Sequence, residues 1–390
     1  MKNAIIRDFK IDDKRIFVVK PGISQINIDD VKQVELNNEK YNIFYPANGY
    51  LYKNHKYIIK GVLIMSSEEL KIVVTGGSGF IGTNFIEYCV NKGHSVYNID
   101  IKEPMNKTHL QYWIKVDIND FDSLNSELCK IQPDFIVHLA ARTDLNGKTL
   151  DEYKTNTEGL LNLINVCNML DNLKRVVFAS SKLVCRNGYK PVNNTDYAPD
   201  TLYGESKAKG ESIIYDKNSE KFSWVIIRPT SIWGPWFGEP YKDFFFKVKK
   251  RMYVHPKGAD IKKTYGFVGN TVFQLYKILF AQNELVNKKT FYLGDYEPIK
   301  IKEWADIISN EFGVSKSIEV PLVMLRMLAK AGDLMKIIGF KRFPYSTFRL
   351  NNILADTTFD FSNLKCVCGE LPYSLEEGVK ITVKWMKEYC

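Results

Sequence analysis

Lys71-Ile72-Val73-Val74-Thr75-Gly76-Gly77-Ser78-Gly79-Phe80-Ile81-Gly82 is the stretch on which the fold turns. A short β-branched run leads into glycines at 76, 79 and 82. Phe85, Ile86, Cys89 and Val90 then recur at helical spacing until Gly93 stops the pattern. A strand, a glycine-rich turn and a helix in succession make a phosphate-binding loop. Gly76 permits the tight turn, Gly79 lets the main chain approach a pyrophosphate, and Gly82 lets the helix pack close. The N–H groups at the helix start then face the anion. Residues 95–100 read as the next strand. Asp100 at its end, 18 residues past Gly82, can accept hydrogen bonds from the ribose hydroxyls of an adenosine. A carboxylate there repels a 2′-phosphate, so the pattern favours NAD over NADP.

Outward from this loop, strand and helix patterns alternate. Strands are expected at 112–116, 134–140, 175–180 and 224–228, with a long helix over 151–170 and another over 203–216. Repeated β-α-β units of this length imply a parallel sheet covered by helices on both faces, because parallel strands need crossover connections. The expected class is α/β: a Rossmann-type doubly wound parallel sheet over 67–231, with about 263–295 returning to it. A smaller C-terminal substrate-binding domain fills most of 232–390, where the alternation breaks down. A small β-rich N-terminal unit, residues 1–66, precedes them, with short apolar runs at 15–20, 42–45, 50–52 and 57–65 and a hairpin signal at Asn48-Gly49. Met65-Ser66-Ser67-Glu68-Glu69 leads into a strand as though a chain began there. Residues 1–64 therefore read as an appended module or an upstream extension.

The bulk composition excludes several classes. Of 390 residues, 45% are hydrophobic and 25% charged, as in ordinary globular proteins. No apolar run approaches the roughly 18 residues that span a bilayer, and residues 1–20 lack a secretory pattern, so a cytoplasmic location without stable membrane insertion is expected. Seven scattered cysteines form neither a disulfide framework nor a zinc-ligand set, and no metal is expected. The net charge of +9 comes from dispersed lysines, which suits an acidic small molecule such as a nucleotide diphosphate better than a nucleic acid.

Thr75-Gly76-Gly77-Ser78-Gly79-Phe80-Ile81-Gly82, with G-x-x-G-x-x-G spacing, resembles the cofactor loop of extended short-chain dehydrogenases, the NAD-dependent epimerase/dehydratase family. Further stretches match in order: Lys115-Val116-Asp117-Ile118, His138-Leu139-Ala140-Ala141, Thr155-Asn156-Thr157-Glu158-Gly159, Ile227-Arg228-Pro229-Thr230-Ser231-Ile232-Trp233-Gly234-Pro235, and Leu371 to Gly378 with Val383-Lys384-Trp385. The likeness covers about 70–390 and is closest in kind to UDP-galactose 4-epimerases. It implies NAD held by Gly76, Gly79, Phe80, Ile81, Gly82, Asp100, Asp117, Ile118, Leu139, Ala140, Ala141, Asn156, Tyr203, Lys207 and Thr230. It implies substrate contacts from Thr143, Ser181, Ser231 and Lys263. Members often pair through two long helices, here 151–170 and 203–216, so a homodimer is expected.

Tyr203-Gly204-Glu205-Ser206-Lys207 places a tyrosine and a lysine on one helical face, beyond Ser180-Ser181 at the end of a strand. Free tyrosine, with a pKa near ~10, is a poor base at neutral pH; a nearby ammonium and a positive nicotinamide ring favour its phenolate. Tyr203 is then the base and Lys207 also holds the nicotinamide ribose; the resemblance places the hydroxyl that orients the reacting oxygen at Ser181, with Ser180 as fallback. His138 reads as a core or cofactor-neighbouring residue. Trp233, Trp236 and Phe237 read equally as stacking platforms or as packing. Residues 321–340 form an amphipathic basic stretch that reads as a core-facing helix, with contact to a membrane surface as the alternative.

Departures from the family pattern narrow the chemistry. Nucleotide-sugar dehydratases carry Asp-Glu after the catalytic hydroxyl, where this chain has Lys182-Leu183, so the acid and base for dehydration are absent. Val184-Cys185-Arg186 replaces Val-Tyr-Gly, Ser231 stands where many epimerases have Asn, and Lys263 replaces a phosphate-binding Arg. Three readings follow: a nucleotide-sugar epimerase working by transient hydride transfer, a dehydrogenase of a lipophilic alcohol resembling 3β-hydroxysteroid dehydrogenases, and a non-catalytic NAD-binding scaffold.

Overall fold

A computed structural model describes residues 31–36, 39–44, 70–217, 220–337, 347–354 and 357–390. The chain divides into two compact units, Met1–Glu68 and Glu69–Cys390. In the first, β1 (Val31–Leu36) and β2 (Glu39–Phe44) pair antiparallel, with Val31 opposite Phe44. The Asn48-Gly49 turn and the apolar runs at 15–20, 50–52 and 57–65 lie outside the described residues.

The second unit begins with β3 (Lys71–Thr75), β4 (Ser95–Ile99), β5 (Trp113–Ile114), β6 (Phe135–His138), β7 (Arg175–Ala179) and β8 (Ser223–Pro229). The short strands β9 (Ser231–Trp233), β10 (Val254–Lys257), β11 (Lys262–Lys263) and β12 (Tyr265–Phe267) follow, and then β13 (Lys289–Leu293). Seven strands form one parallel sheet in the order β13-β8-β7-β6-β3-β4-β5. The second unit enters this sheet at the interior strand β3 and winds outward in both directions, which leaves a crevice beyond the carboxyl ends of the strands.

Alternate residues of these strands feed two separate cores, as the two-residue period of a strand requires. Ile72, Val74, Val137, Val177 and Val225 pack on one face with Phe85 and Ile86 of α1 (Phe80–Asn91). Val73, Ile136, Val176 and Ile226 pack on the other. There they meet Leu124 and Leu128 of α2 (Phe121–Ile131) and Leu163 and Ile164 of α3 (Glu158–Cys167). The remaining helices that bear on the site are α4 (Leu202–Lys217), α5 (Tyr241–Lys249) and α6 (Val268–Leu279).

Two expectations need correction. The single helix expected over 151–170 is broken. A 3₁₀ segment spans Leu150–Asn156, and Thr157, at φ −124° and ψ −67°, separates it from α3. The break coincides with Asn156, whose buried side chain bonds both main-chain groups of Arg142 and the Ser206 hydroxyl. The helix Leu322–Ile337 does not turn its large apolar residues inward. Ala329 and Gly332 are buried, while Val323, Met324, Met327 and Leu334 are exposed. Among the described residues no helix is long and apolar enough to cross a membrane.

Beyond β8 the chain packs around aromatic side chains. Trp233 is fully buried against Phe245, Phe267 and Trp304. Trp236 packs on Trp385 and Tyr389, and Phe237 on Phe245. All three aromatic residues thus have packing partners within the protein. The closing helix Leu375–Tyr389 starts with a capping box: Ser374 Oγ accepts from Glu377 N at 3.2 Å, and Glu377 Oε2 accepts from Ser374 N at 2.8 Å.

Candidate active site

The glycine loop joins β3 to α1 at the carboxyl end of the sheet. Gly76 has φ +73°, and a Cβ there would lie 2.6 Å from the Ala140 Cα, so Leu139 and Ala140 press on the turn from the end of β6. A Cβ on Gly82 would lie 2.6 Å from the Gly76 carbonyl oxygen, which explains how the helix sits so close to the loop. Gly79 differs: a Cβ would meet only the Gly76 oxygen, at 3.2 Å. Gly79 is the N-cap of α1, and no side chain caps that terminus. An open helix N-terminus flanked by the smallest residue is a cradle for a phosphate group. Phe80 and Ile81, in the first turn, are partly buried against the core.

Asp100 stands beside this cradle. Its carboxylate accepts from Ser78 N at 3.1 Å and Lys102 N at 2.9 Å. Burial pushes its pKa above the usual carboxylate range, and the two N–H donors pull the other way. A carboxylate offers about four acceptor sites, so capacity remains for ribose hydroxyls. Asp117 is exposed and bonds the Asn119 main chain and side chain, and Ile118 is buried beneath it. These residues fit the adenosine diphosphate half of NAD.

The chemical groups meet at the end of β7. Tyr203 and Lys207 lie one turn apart on α4, and both are buried. A Cβ on Gly204 would overlap the Leu183 carbonyl oxygen, so glycine is what lets α4 start against the 182–184 turn. The Ser181 side chain lies near enough to the Tyr203 hydroxyl to favour its ionised form. Lys207 Nζ donates to the Ala179 carbonyl oxygen at 2.8 Å. Ser181 Oγ also accepts from Leu183 N at 3.1 Å. Ser180 Oγ is buried and has no hydrogen-bond partner among the described residues.

The protonation states differ in one respect from the sequence-based expectation. Burial raises the Tyr203 pKa above its ordinary value, and the neighbouring Ser181 side chain opposes that rise; Lys207 is not among the groups that lower it. Burial holds Lys207 itself down to about 8, against the Glu211 charge that supports its ammonium. His138, bonded through Nδ1 to Thr75 Oγ1 at 2.7 Å, is held down to about 3 by burial and by Lys207, so it is neutral.

Other expected residues are placed as follows. Asn156 spends its amide on Arg142 and Ser206, and Ser206 Oγ donates to the Tyr203 carbonyl at 2.7 Å, so Asn156 braces the start of α4. Thr230 Oγ1 donates to the Leu293 carbonyl at 2.8 Å and fastens β8 to β13. Ser231 and Lys263 are buried, Thr143 is exposed in the loop after β6, and Ala141 is partly buried. Two features had no single-residue signal. Arg228 and Glu211 form a buried bidentate pair at 2.8 and 2.7 Å, and Lys182 reaches Ser231 Oγ at 2.8 Å.

Residues 72–261 match the family model described as the NAD dependent epimerase/dehydratase family. A curated N-acetyl-alpha-D-glucosaminyl-diphospho-ditrans,octacis-undecaprenol 4-epimerase from Escherichia coli O157:H7 is 24% identical over 330 residues, covering 80% of this chain and 94% of that protein. A 3-beta-hydroxysteroid dehydrogenase from Mycolicibacterium neoaurum is 28% identical over 255 residues, covering 60% of this chain and 68% of its own length. The solved UDP-glucose 4-epimerase of Thermotoga maritima, with UDP-glucose, superposes at a TM-score of 0.63 and 18% identity, covering 82% of this chain and 99% of that one; this likeness speaks to the fold. Residues 72–261 carry the domain of the NAD dependent epimerase/dehydratase family, and its relatives mark the chain as an NAD-dependent enzyme of the extended short-chain dehydrogenase type.

Proposed function

We propose that the chain is a nucleotide-sugar epimerase in which Tyr203 is the base, Ser181 the orienting hydroxyl and Lys207 the cationic support. The observation that carries this reading is the convergence of buried Ser181, Tyr203 and Lys207 at the end of β7, with Lys207 Nζ anchored on the Ala179 carbonyl at 2.8 Å. Tyr203 takes the proton of a sugar carbinol, and Ser181 fixes the direction of the carbinol oxygen. NAD, when bound, supplies the hydride acceptor and a positive charge that favours the Tyr203 phenolate. The keto sugar turns over within the site, and Tyr203 returns the proton when the opposite face is reduced. Lys263 contacts the diphosphate as a point charge. Purified protein incubated with UDP-, GDP-, CDP- and dTDP-sugars tests this: NMR is expected to show inversion at one ring carbon without added NAD. No turnover and no thermal shift across the panel would overturn it.

A homodimer through α3, α4 and the 3₁₀ segment before α3 belongs to the same reading. Light scattering is expected to give twice the chain mass of 45.0 kDa. A second reading, oxidation of a lipophilic alcohol, is supported by the exposed Val323, Met324, Met327 and Leu334 on one helix. Its sign would be stoichiometric NADH formation with a sterol.

A further inference from the structure

The helix Leu322–Ile337 turns an apolar face away from the protein. Val323, Met324, Met327 and Leu334 are between 55% and 66% exposed, and Leu328 is exposed beside them. At about 100° per residue these five fall within an arc of roughly 140°. Ala329 and Gly332 lie on the other side and are buried, so small residues let the helix approach the body of the unit closely. The chain on either side is tied down. The strand Ile318–Pro321 pairs in parallel with β10, with Pro321 opposite Lys257. Asp333 accepts from Thr347 N at 3.2 Å, at the start of the helix Thr347–Leu354.

The charges around this face have one sign. Arg326 and Lys330 are exposed and border the apolar arc on one edge. Asp333 is the acid of this helix, and its carboxylate is spent on Thr347; Glu319, on the strand before, is paired with Lys302 at 3.2 Å. From Pro321 to Ala355 the sequence sets Arg326, Lys330, Lys336, Lys341, Arg342 and Arg349 against that single aspartate. A wide apolar arc with a basic edge complements an anionic bilayer: apolar side chains enter the acyl boundary, and cationic groups meet the lipid phosphates. A second copy docked about a twofold axis would instead set this basic edge against itself. We propose that the helix Leu322–Ile337 docks the protein on the surface of a membrane rich in anionic lipid. It lies along that surface, since among the described residues no helix is long and apolar enough to cross. This docking is independent of the substrate that Tyr203 acts on.

The test is flotation of the full-length, NAD-loaded protein with vesicles of phosphatidylcholine alone and of phosphatidylcholine with about 30% phosphatidylglycerol. The protein is expected to bind the anionic vesicles about tenfold or more tightly than the neutral ones, and raising salt from about 0.1 M to about 0.5 M should release much of it. Met327→Asp with Leu334→Asp should lower binding to the anionic vesicles about tenfold or more. Arg326→Gln with Lys330→Gln should remove most of the preference for phosphatidylglycerol. All four positions are exposed, so both variants should keep their Tm and NAD affinity, which checks that they fold. An unaltered chain that does not float with anionic vesicles overturns the proposal, and so does one that binds both vesicles equally. Unchanged flotation of a normally melting Met327→Asp, Leu334→Asp variant overturns it too. If that variant halves the mass seen by light scattering while the unaltered chain binds no vesicle, the face is a contact between copies and the membrane assignment fails.

Discussion

Lys207 Nζ donates a 2.8 Å hydrogen bond to the carbonyl oxygen of Ala179, the last residue of β7. That bond ties α4 to the strand end that carries Ser180 and Ser181, so one lysine aligns the helix bearing Tyr203 with the Ser181 hydroxyl. Tyr203→Phe and Lys207→Met should therefore fail differently. Tyr203→Phe should lower kcat about 10²–10⁴-fold with NAD affinity little changed. Lys207→Met should lower kcat and also weaken NAD, as measured by fluorescence titration. Equal NAD affinity in both variants would remove the lysine from the cofactor.

Arg228 and Glu211 are each almost wholly buried, and the guanidinium also meets Tyr292 Oη at 3.1 Å and the Asn194 carbonyl at 2.6 Å. Removing one partner leaves the other charged and buried, which costs about 3–5 kcal/mol. Glu211→Gln is expected to show a loss of that order in urea unfolding. A loss below about 1 kcal/mol, the scale of an exposed pair, would mean that water reaches the pair.

The loop glycines make opposite predictions for folding and for cofactor. Gly76→Ala combines a positive φ with a clash on the Ala140 main chain, so it should lower Tm in the protein without NAD. Gly79→Ala meets only one oxygen, so Tm should stay within a few degrees while NAD affinity falls at least tenfold. If Gly79→Ala binds NAD normally, the pyrophosphate does not sit at this helix start.

Asp295 supplies a pH dependence with a definite sign. Its carboxylate accepts from Phe267 N at 3.0 Å and Asn270 Nδ2 at 2.8 Å, and burial pushes its pKa up to about 7 from the usual 3.8. As pH rises through this window, the unfolded chain gives up its proton first. The folded state then binds more protons, so stability falls with rising pH until Asp295 ionises near 7. Asp295→Asn cannot ionise. Relative to the unaltered chain, its Tm should rise between pH 5 and pH 8, and parallel Tm curves would contradict the assignment.

What the sequence revealed, and what it hid, follows from the range of each interaction. The glycine loop and the Tyr203–Lys207 pair are local patterns, with spacing set by one turn of chain or helix, so both were readable. The break at Thr157 was not, because Asn156 gains partners on Arg142 and Ser206 that a helical pattern does not encode. Lys182 read only as the loss of a dehydratase acid; its bond to Ser231 spans 49 positions and needs the sheet to exist first. Propensity likewise placed the helix at Leu322–Ile337 but not its orientation, since small residues rather than large ones face inward.

The most direct test of the central claim is NMR of the purified protein with the nucleotide-sugar panel and no added NAD, run beside Tyr203→Phe. The account predicts inversion at one ring carbon by the unaltered protein and a loss of at least 100-fold in the variant. Turnover that survives in Tyr203→Phe, or no stereochemical change with any sugar, would contradict it.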